Sequence, residues 1–176
     1  MIQNHVGTGQ SSEQIAARRK RVSDERWQAL PEVIRATFEC TRKTAMYESL
    51  RALGVDVQPW RALEWAYESS RGPLVVTVWH DQIEVAPDGS LAYRIAPLEW
   101  QAESRAGPQA ERASRMRELL AKHAGQEVYA LLLKRGWDSH GTQKSERSAP
   151  DIRMWSLEPD GSAGFVLRRA VTRRVA

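Results

Sequence analysis

Three tryptophans stand close to arginines in this sequence, and together these side chains could bind a flat ring. Arg135 precedes Trp137 by two residues, Arg153 precedes Trp155 by two residues, and Trp79 ends a run of β-branched residues. A protein that binds an extruded nucleobase needs flat side chains to stack on the base and cations to hold the opened backbone. These five residues are therefore candidate nucleic-acid contacts. The alternative is that all three tryptophans belong to the core.

Polar side chains beside the tryptophans are candidates for contacts with the edge of a base. Asp81 lies two residues after Trp79, and Asp138 directly follows Trp137. A carboxylate can accept a hydrogen bond from an exocyclic amine such as cytosine N4. His80 is the neighbour of Asp81, so it could serve as a general base or a ligand. The alternative for His80 is a half-buried strand residue with a local hydrogen bond.

Arginines also cluster towards both ends of the chain. Residues 18–21 read Arg-Arg-Lys-Arg, and a second pair stands at positions 173 and 174. Clustered cations neutralise phosphates and give affinity for nucleic acid that does not depend on base sequence. We therefore expect phosphate contacts from Arg18, Arg19, Arg21, Arg173 and Arg174. The alternative for the first cluster is a solvated helical end.

A metal-dependent nuclease is the enzyme class to test first, because nucleases have small basic α+β cores. The common restriction-type core has an Asp on one strand and an acidic-x-Lys triplet on the next, so that carboxylates hold Mg²⁺ beside a lysine. Asp81 and Lys134 suit this pattern, but Leu132 occupies the position that requires a carboxylate. An atypical site around Asp81, Glu84 and Lys134 is therefore a further alternative.

The cysteine and the histidines show no ligand pattern. Cys40 is the only cysteine, and its spacing from His80, His123 and His140 matches no zinc motif. The sequence also contains neither common glycine-rich phosphate loop. We therefore expect no bound metal and no cofactor, and we expect Cys40 to be a buried structural thiol.

The composition is that of a mildly basic globular chain. The 176 residues include 26 basic side chains, of which only five are lysines, and the formal net charge is +4. This excess of arginine indicates either a GC-rich genome or bidentate contacts with phosphate and guanine. No apolar stretch approaches the roughly 20 residues that span a bilayer, and the start of the chain lacks a signal-peptide pattern. The sequence therefore predicts a cytoplasmic protein with no membrane partner.

The N-terminal part of the sequence has helical patterns. We interpret residues 1–22, which are polar and then basic, as a flexible arm. Ser23 and Asp24 are typical of an N-cap, and Pro31 should break the helix after them into two short pieces.

Two further helices are predicted before the first strand. Met46, Leu50 and Leu53 have helical spacing within residues 42–53, and Gly54 is a natural stop after them. Pro59 suits the first turn of the next helix, whose apolar face would include residues 60, 63, 66 and 67.

The rest of the sequence alternates between strand and turn signals. Apolar and β-branched runs predict strands over residues 74–85, 91–95, 127–134, 152–157 and 164–168. Pro-Asp-Gly at 87–89 and again at 159–161 is a turn signal that joins neighbouring strands into hairpins. Residues 111–124 form a predicted helix. Residues 136–150 are polar and read as a long irregular loop, which is typical of a functional or disordered segment.

Two stretches resemble a known family. Residues 72–84 (Gly-Pro-Leu-Val-Val-Thr-Val-Trp-His-Asp-Gln-Ile-Glu) form one, and residues 154–161 with 165–169 form the other. Both are similar to N-terminal segments ahead of HNH nuclease domains in bacterial modification-dependent restriction enzymes. The resemblance implies a DNA reader without its nuclease, because no His-Asn-His cluster follows these segments here. It assigns no individual binding residue.

The sequence predicts an α+β protein in which N-terminal helices precede a mainly antiparallel sheet of about five strands with one inserted helix. We expect residues 23–169 to form a single domain between the arm and a basic tail, residues 170–176. The leading functional hypothesis is a DNA-binding module that reads a modified base with an aromatic pocket. The alternatives are a partner-binding regulator or inhibitor encoded by a mobile element, and the atypical nuclease.

Overall fold

A computed structural model of the chain describes residues 11–40, 46–57, 64–95, 107–138, 143–161 and 163–170. Within these ranges the helices are α1 (Ser12–Ala29), α2 (Glu32–Cys40), α3 (Met46–Ala52) and α4 (Pro108–Lys122). The strands are β1 (Ala66–Tyr67), β2 (Val75–Trp79), β3 (Ile83–Val85), β4 (Leu91–Ile95), β5 (Glu127–Trp137), β6 (Gln143–Asp160) and β7 (Gly164–Arg169). A 3₁₀ turn, His80–Gln82, joins β2 to β3. The predicted α+β class is confirmed.

Helix α1 begins earlier than the sequence pattern predicts. The Ser11 hydroxyl accepts a hydrogen bond from the backbone N–H of Gln14 at 3.3 Å, and the Gln14 side chain accepts one from the Ser11 N–H at 3.1 Å. This reciprocal capping box satisfies N–H groups that a helix start leaves free. Residues 12–22 therefore form a helix where a flexible arm was expected. Ser23, the expected N-cap, is buried inside α1.

Proline and glycine end two helices where the sequence predicts. Pro31 separates α1 from α2, and Gly54, with φ of +83°, follows α3 in a conformation that glycine adopts most easily. The helix predicted from residue 59 is wrong at its far end, because residues 66 and 67 form β1 and pair with β2. Residues 58–63 lie outside the described ranges, as does the side chain of Cys40 and with it the predicted buried thiol.

The sheet is mixed, because one of its pairs is parallel while the others are antiparallel, and within the described residues it has seven strands where about five were expected. Its order is β1-β2-β5-β6-β7-β4-β3, and β2 pairs with β5 in the parallel direction. The chain between these two strands holds β3, β4 and α4, which is ample length for a parallel crossover. Periodicity identifies a strand but not its partner, so the parallel pair had no signal in the sequence.

Most of the polar segment expected to be an irregular loop is strand. β5 continues to Trp137 and β6 begins at Gln143, with Trp137 opposite Gln143 and Arg135 opposite Ser145. The side chains of residues 143–146 are exposed to solvent, which explains why they are polar although they belong to a strand. Residues 139–142, and with them His140, lie outside the described ranges.

The sheet is bent, and β6 forms the bend. β6 pairs with β5 over residues 143–156 and with β7 over residues 156–160, so it joins two halves, β1-β2-β5 and β7-β4-β3. In a flat sheet the five spacings between β2 and β3 would cover about 24 Å. The link from Trp79 to Ile83 has a reach of at most about 14 Å. The halves must therefore approach each other at the 3₁₀ turn.

The larger core contains side chains from both halves of the sheet. Val76, Val78 and Leu132 come from one half, and Tyr93 and Leu167 from the other. Helices α2 and α4 add Ile34, Phe38, Met116 and Leu120. A smaller core packs α3 against Val75 and Leu131, on the opposite side of β2 and β5. Among the described residues, no helix combines the length and apolar character needed to cross a membrane.

Candidate nucleic-acid interface

A groove with a volume of about 670 Å³ lies between α1 and the end of β5. We call it the basic groove. Arg18, Arg19 and Arg26 line it from α1, together with Ile15, Val22 and Ser23. The 3₁₀ turn contributes Asp81 and Gln82, and the β5–β6 hairpin contributes Arg135, Trp137 and Gln143. Five of the residues predicted from the sequence are therefore brought together: Arg18, Arg19, Asp81, Arg135 and Trp137.

The two faces of α1 have different electrostatic roles. On the face that lines the groove, no carboxylate among the described residues forms an ion pair with Arg18, Arg19 or Arg26. On the other face, Lys20 pairs with Asp24 at 2.6 Å and Arg21 pairs with Glu25 at 3.7 Å. Arg21, also predicted to contact phosphate, lies on this other face and does not line the groove with Arg18 and Arg19. Arg26 was missed, although its spacing of eight residues from Arg18 places both on one face.

Arg135 is held at the inner end of the groove. Its guanidinium carbon lies 4.3 Å from the centroid of the Trp79 ring, and its Nε lies 2.7 Å from Asp81 Oδ2. The two charged side chains are only 9% and 18% exposed. A guanidinium stacks well on an indole ring, and the carboxylate offsets its charge. Asp81 is therefore engaged by Arg135, whereas the sequence predicted a contact with a base edge.

Trp137 forms the rim of the groove at the end of β5. The Arg19 guanidinium carbon lies 5.8 Å from the centroid of its ring, so α1 and β5 meet across this contact. The ring nitrogen Nε1 is buried and has no hydrogen-bond partner within the described residues. Asp138, the next residue, is half-buried and does not line the groove. Its predicted contact with a base edge is therefore not supported by its position.

His80 is buried and holds two elements together. Its Nδ1 accepts a hydrogen bond from the backbone N–H of Arg135 at 3.0 Å, and its Nε2 lies 3.1 Å from the carbonyl oxygen of Ser23. These partners require a neutral ring with the proton on Nε2. Burial lowers the pKa of His80 from its ordinary value of 6.5, and the hydrogen bond to Ser23 opposes this shift. His80 therefore positions α1 on the sheet, and it is not exposed to a ligand.

A second cavity, of about 340 Å³, adjoins the basic groove. We call it the aromatic cavity. Its walls include Trp65, Trp79, Tyr93 and Met116, with Thr77 and Gln109 beside them. Gln82, Arg135 and Gln143 line both cavities, so these three residues mark the boundary between them. Apart from Trp79 and Arg135, none of these lining residues was predicted from the sequence. The bend of the sheet brings together strands that are distant in the sequence, and no local pattern records that.

The remaining predicted residues lie elsewhere. Trp155 is 0% exposed, and its Nε1 donates a hydrogen bond to Asp151 Oδ2 at 3.0 Å. It is a core residue, so the prediction that it contacts a base is wrong. Arg153 is exposed on β6 and lines neither cavity. Arg173 and Arg174 lie outside the described residues.

The three residues of the alternative nuclease site have separate partners. Asp81 pairs with Arg135, Glu84 pairs with Arg94 at 3.3 Å, and Lys134 pairs with Glu146 at 3.4 Å. The ammonium group of Lys134 also lies 4.7 Å from the centroid of the Trp27 ring. Within the described ranges, no group of three or more histidine, cysteine, aspartate and glutamate residues has the arrangement of a metal site.

Comparison with known proteins does not assign this chain to a family. No family model, no curated protein and no solved structure matches it.

Proposed function

We propose that the protein is a DNA-binding module that holds the phosphate backbone in the basic groove and takes one base into the aromatic cavity. The observation that carries this proposal is the junction of the two cavities at Gln82, Arg135 and Gln143. A strand in the groove would have an aromatic cavity within reach of its bases. Phosphate-binding cations next to stacking side chains are what a reader of unstacked bases requires.

The groove has the charge that a phosphate backbone needs. Arg18, Arg19 and Arg26 project from one helix face, and the charge of Arg135 is offset by Asp81. Cations without carboxylate partners can neutralise phosphates and release the counterions of the DNA. Ile15 and Val22 line the same groove from α1, and they offer apolar contacts to sugars. The resemblance to the DNA-reader segments of HNH-type restriction enzymes suggests the same class of ligand.

The partner-binding alternative has less support from the described surface. Its large exposed hydrophobic residues lie on three separate elements: Ile152, which is 73% exposed, on β6, Val85 on β3, and Ile15 with Val22 beside the arginines of α1 in the basic groove. Single exposed apolar residues are common on monomeric proteins, whereas docking sites for proteins are usually contiguous patches.

The test is a fluorescence-anisotropy titration of duplex and single-stranded DNA at two salt concentrations, with unmodified and cytosine-methylated versions of each. We expect binding that weakens steeply as salt rises, because phosphate neutralisation requires it. A preference for a methylated strand would identify the modification that is read. Absence of binding at low salt, or binding that is insensitive to salt, would contradict the proposal. A stable co-purifying protein would then favour the partner-binding alternative.

A further inference from the structure

We propose that the aromatic cavity selects a nucleobase that carries ring carbonyl groups, as thymine does, over one that carries only an amine, as adenine does. This inference rests on the proposed function, because the base must be delivered by a strand in the basic groove. The lining of the cavity gives three reasons for it: its aromatic side chains, its polar groups and the absence of a carboxylate among the described residues that line it.

The walls suit a single flat ring. Trp65, Trp79 and Tyr93 contribute aromatic surface, and Met116 contributes a flexible thioether. A base stacks on aromatic side chains whatever its identity, and a thioether also contacts ring edges favourably. The volume of 340 Å³ is at the lower end for ligand pockets, so one small ligand would occupy it.

The side-chain amide of Gln82 is oriented so that its NH₂ group can donate a hydrogen bond. The Tyr93 hydroxyl donates a hydrogen bond to Gln82 Oε1 at 2.9 Å. Tyr93 is buried, so its hydroxyl is an immobile partner for the exposed amide. With one acceptor position of its oxygen engaged, Gln82 keeps both N–H bonds of its NH₂ group to donate. An NH₂ group donates to a carbonyl oxygen and repels the amine of adenine.

Two other polar groups fit this pattern, and the amides of Gln109 and Gln143 in the same lining can either donate or accept. Arg135 is the only charged residue among the described lining, and a guanidinium can only donate hydrogen bonds. The Thr77 hydroxyl donates to the carbonyl oxygen of Trp65 at 2.9 Å, so its own oxygen is left to accept. Thymine has two carbonyl groups with an N–H between them, so it can accept from Gln82 and Arg135 and donate to Thr77. Asp81, the carboxylate that could accept from a cytosine amine, lines the basic groove instead.

The experiment compares DNA duplexes that are identical except for one unpaired nucleotide: thymine, cytosine, adenine or an abasic site. An unpaired base is used because its extrusion from the duplex requires little free energy. Dissociation constants are measured for the full chain by fluorescence anisotropy at one salt concentration. We expect the unpaired thymine to bind about tenfold tighter than adenine or the abasic site, with cytosine in between, since one discriminating hydrogen-bond contact is of this order.

Two variants test the lining directly. Gln82→Ala removes the donor, and Tyr93→Phe keeps the ring but releases the amide of Gln82. Both should reduce the preference for thymine to about twofold or less, because the oriented donor is lost. Gln28→Ala is the matched control, because Gln28 is an exposed amide on the opposite face of α1 and lines neither cavity. Circular dichroism confirms that each variant is folded.

The outcomes separate this inference from the proposed function. Equal affinity for all four duplexes, with a normal dependence on salt, would overturn the cavity inference and leave the basic groove as a DNA site. A preference for thymine that survives Gln82→Ala would also overturn it, because the proposed donor would not be the reader. Failure to bind any duplex at low salt would overturn the proposed function itself.

Discussion

The basic groove makes a quantitative prediction about salt. The double variant Arg18→Ala/Arg19→Ala removes two of the three α1 arginines that line the groove. Each phosphate that is neutralised contributes about 0.9 to the slope of log affinity against log salt concentration. The three arginines together contribute about 2.7, which corresponds to about a 40-fold loss of affinity over a fourfold rise in salt. After the substitution this contribution should fall to about 0.9, or about a 3.5-fold loss.

The opposite face of α1 supplies a matched control. Lys20→Ala/Arg21→Ala removes the same number of charges from the same helix, and either double variant lowers the formal net charge from +4 to +2. Lys20 and Arg21 pair with Asp24 and Glu25, away from the groove. Alanine is a strong helix former, so neither variant should unfold α1.

The assay is a set of anisotropy titrations of one duplex at five salt concentrations for the wild type and both double variants. We expect the slope to fall by about 1.8 for the Arg18/Arg19 variant and by much less for the Lys20/Arg21 variant. Equal changes in the two slopes would refute the proposal that DNA binds in the basic groove, because affinity would then follow net charge and not the position of each residue on α1.

Three further predictions concern the framework that supports the groove. Because the pKa of His80 is lowered in the folded protein, the unfolded chain binds more protons below about pH 6.5, and the free energy of unfolding should fall as the pH drops through that value. Urea titrations at several pH values would show this loss, and it should be largely absent in His80→Gln. Trp155→Ala should cost about 3–5 kcal/mol in urea unfolding, since a fully buried indole is removed. If the folded variant instead lost only DNA affinity, the assignment of Trp155 to the core would be wrong. Asp151→Asn should cost a similar amount, about 3–5 kcal/mol, because Arg169, which is 3% exposed, would remain buried without its carboxylate. A change in unfolding midpoint within error would contradict that ion pair.

Local signals in the sequence were reliable where a single residue type dictates the backbone. Pro31 separates two helices, Gly54 ends α3, and the Pro-Asp-Gly turn at 87–89 joins β3 to β4. These features follow from a fixed φ angle or from a left-handed residue, so neighbours in the sequence suffice to predict them. The same signal at 159–161 was placed too early, because Pro159 and Asp160 still belong to β6 and pair with β7. The start of α1 was misplaced because Ser11 and Ser23 both suit a cap, and only the partner Gln14 distinguishes them.

Pairing over long distances could not be predicted in the same way. The parallel contact of β2 with β5 and the bend of β6 depend on which strands meet, and periodicity does not encode that. The candidate site shows the same division. Arg18, Arg19 and Arg135 were identified by residue type, whereas Gln82 and Tyr93 became candidates only through the fold that places them together.

The 3₁₀ turn between β2 and β3 limits where a tag or a reporter can be inserted into this protein. Its three residues serve three different neighbours: His80 contacts α1, Asp81 contacts Arg135, and Gln82 contacts Tyr93. An inserted residue would rotate these side chains away from their partners, so a tag or fluorophore attachment site does not belong there. The turn at Pro87–Gly89 is different, because it is largely exposed and only connects β3 to β4. A reporter inserted in that turn would leave both cavities intact, even though it stands only five residues after Gln82.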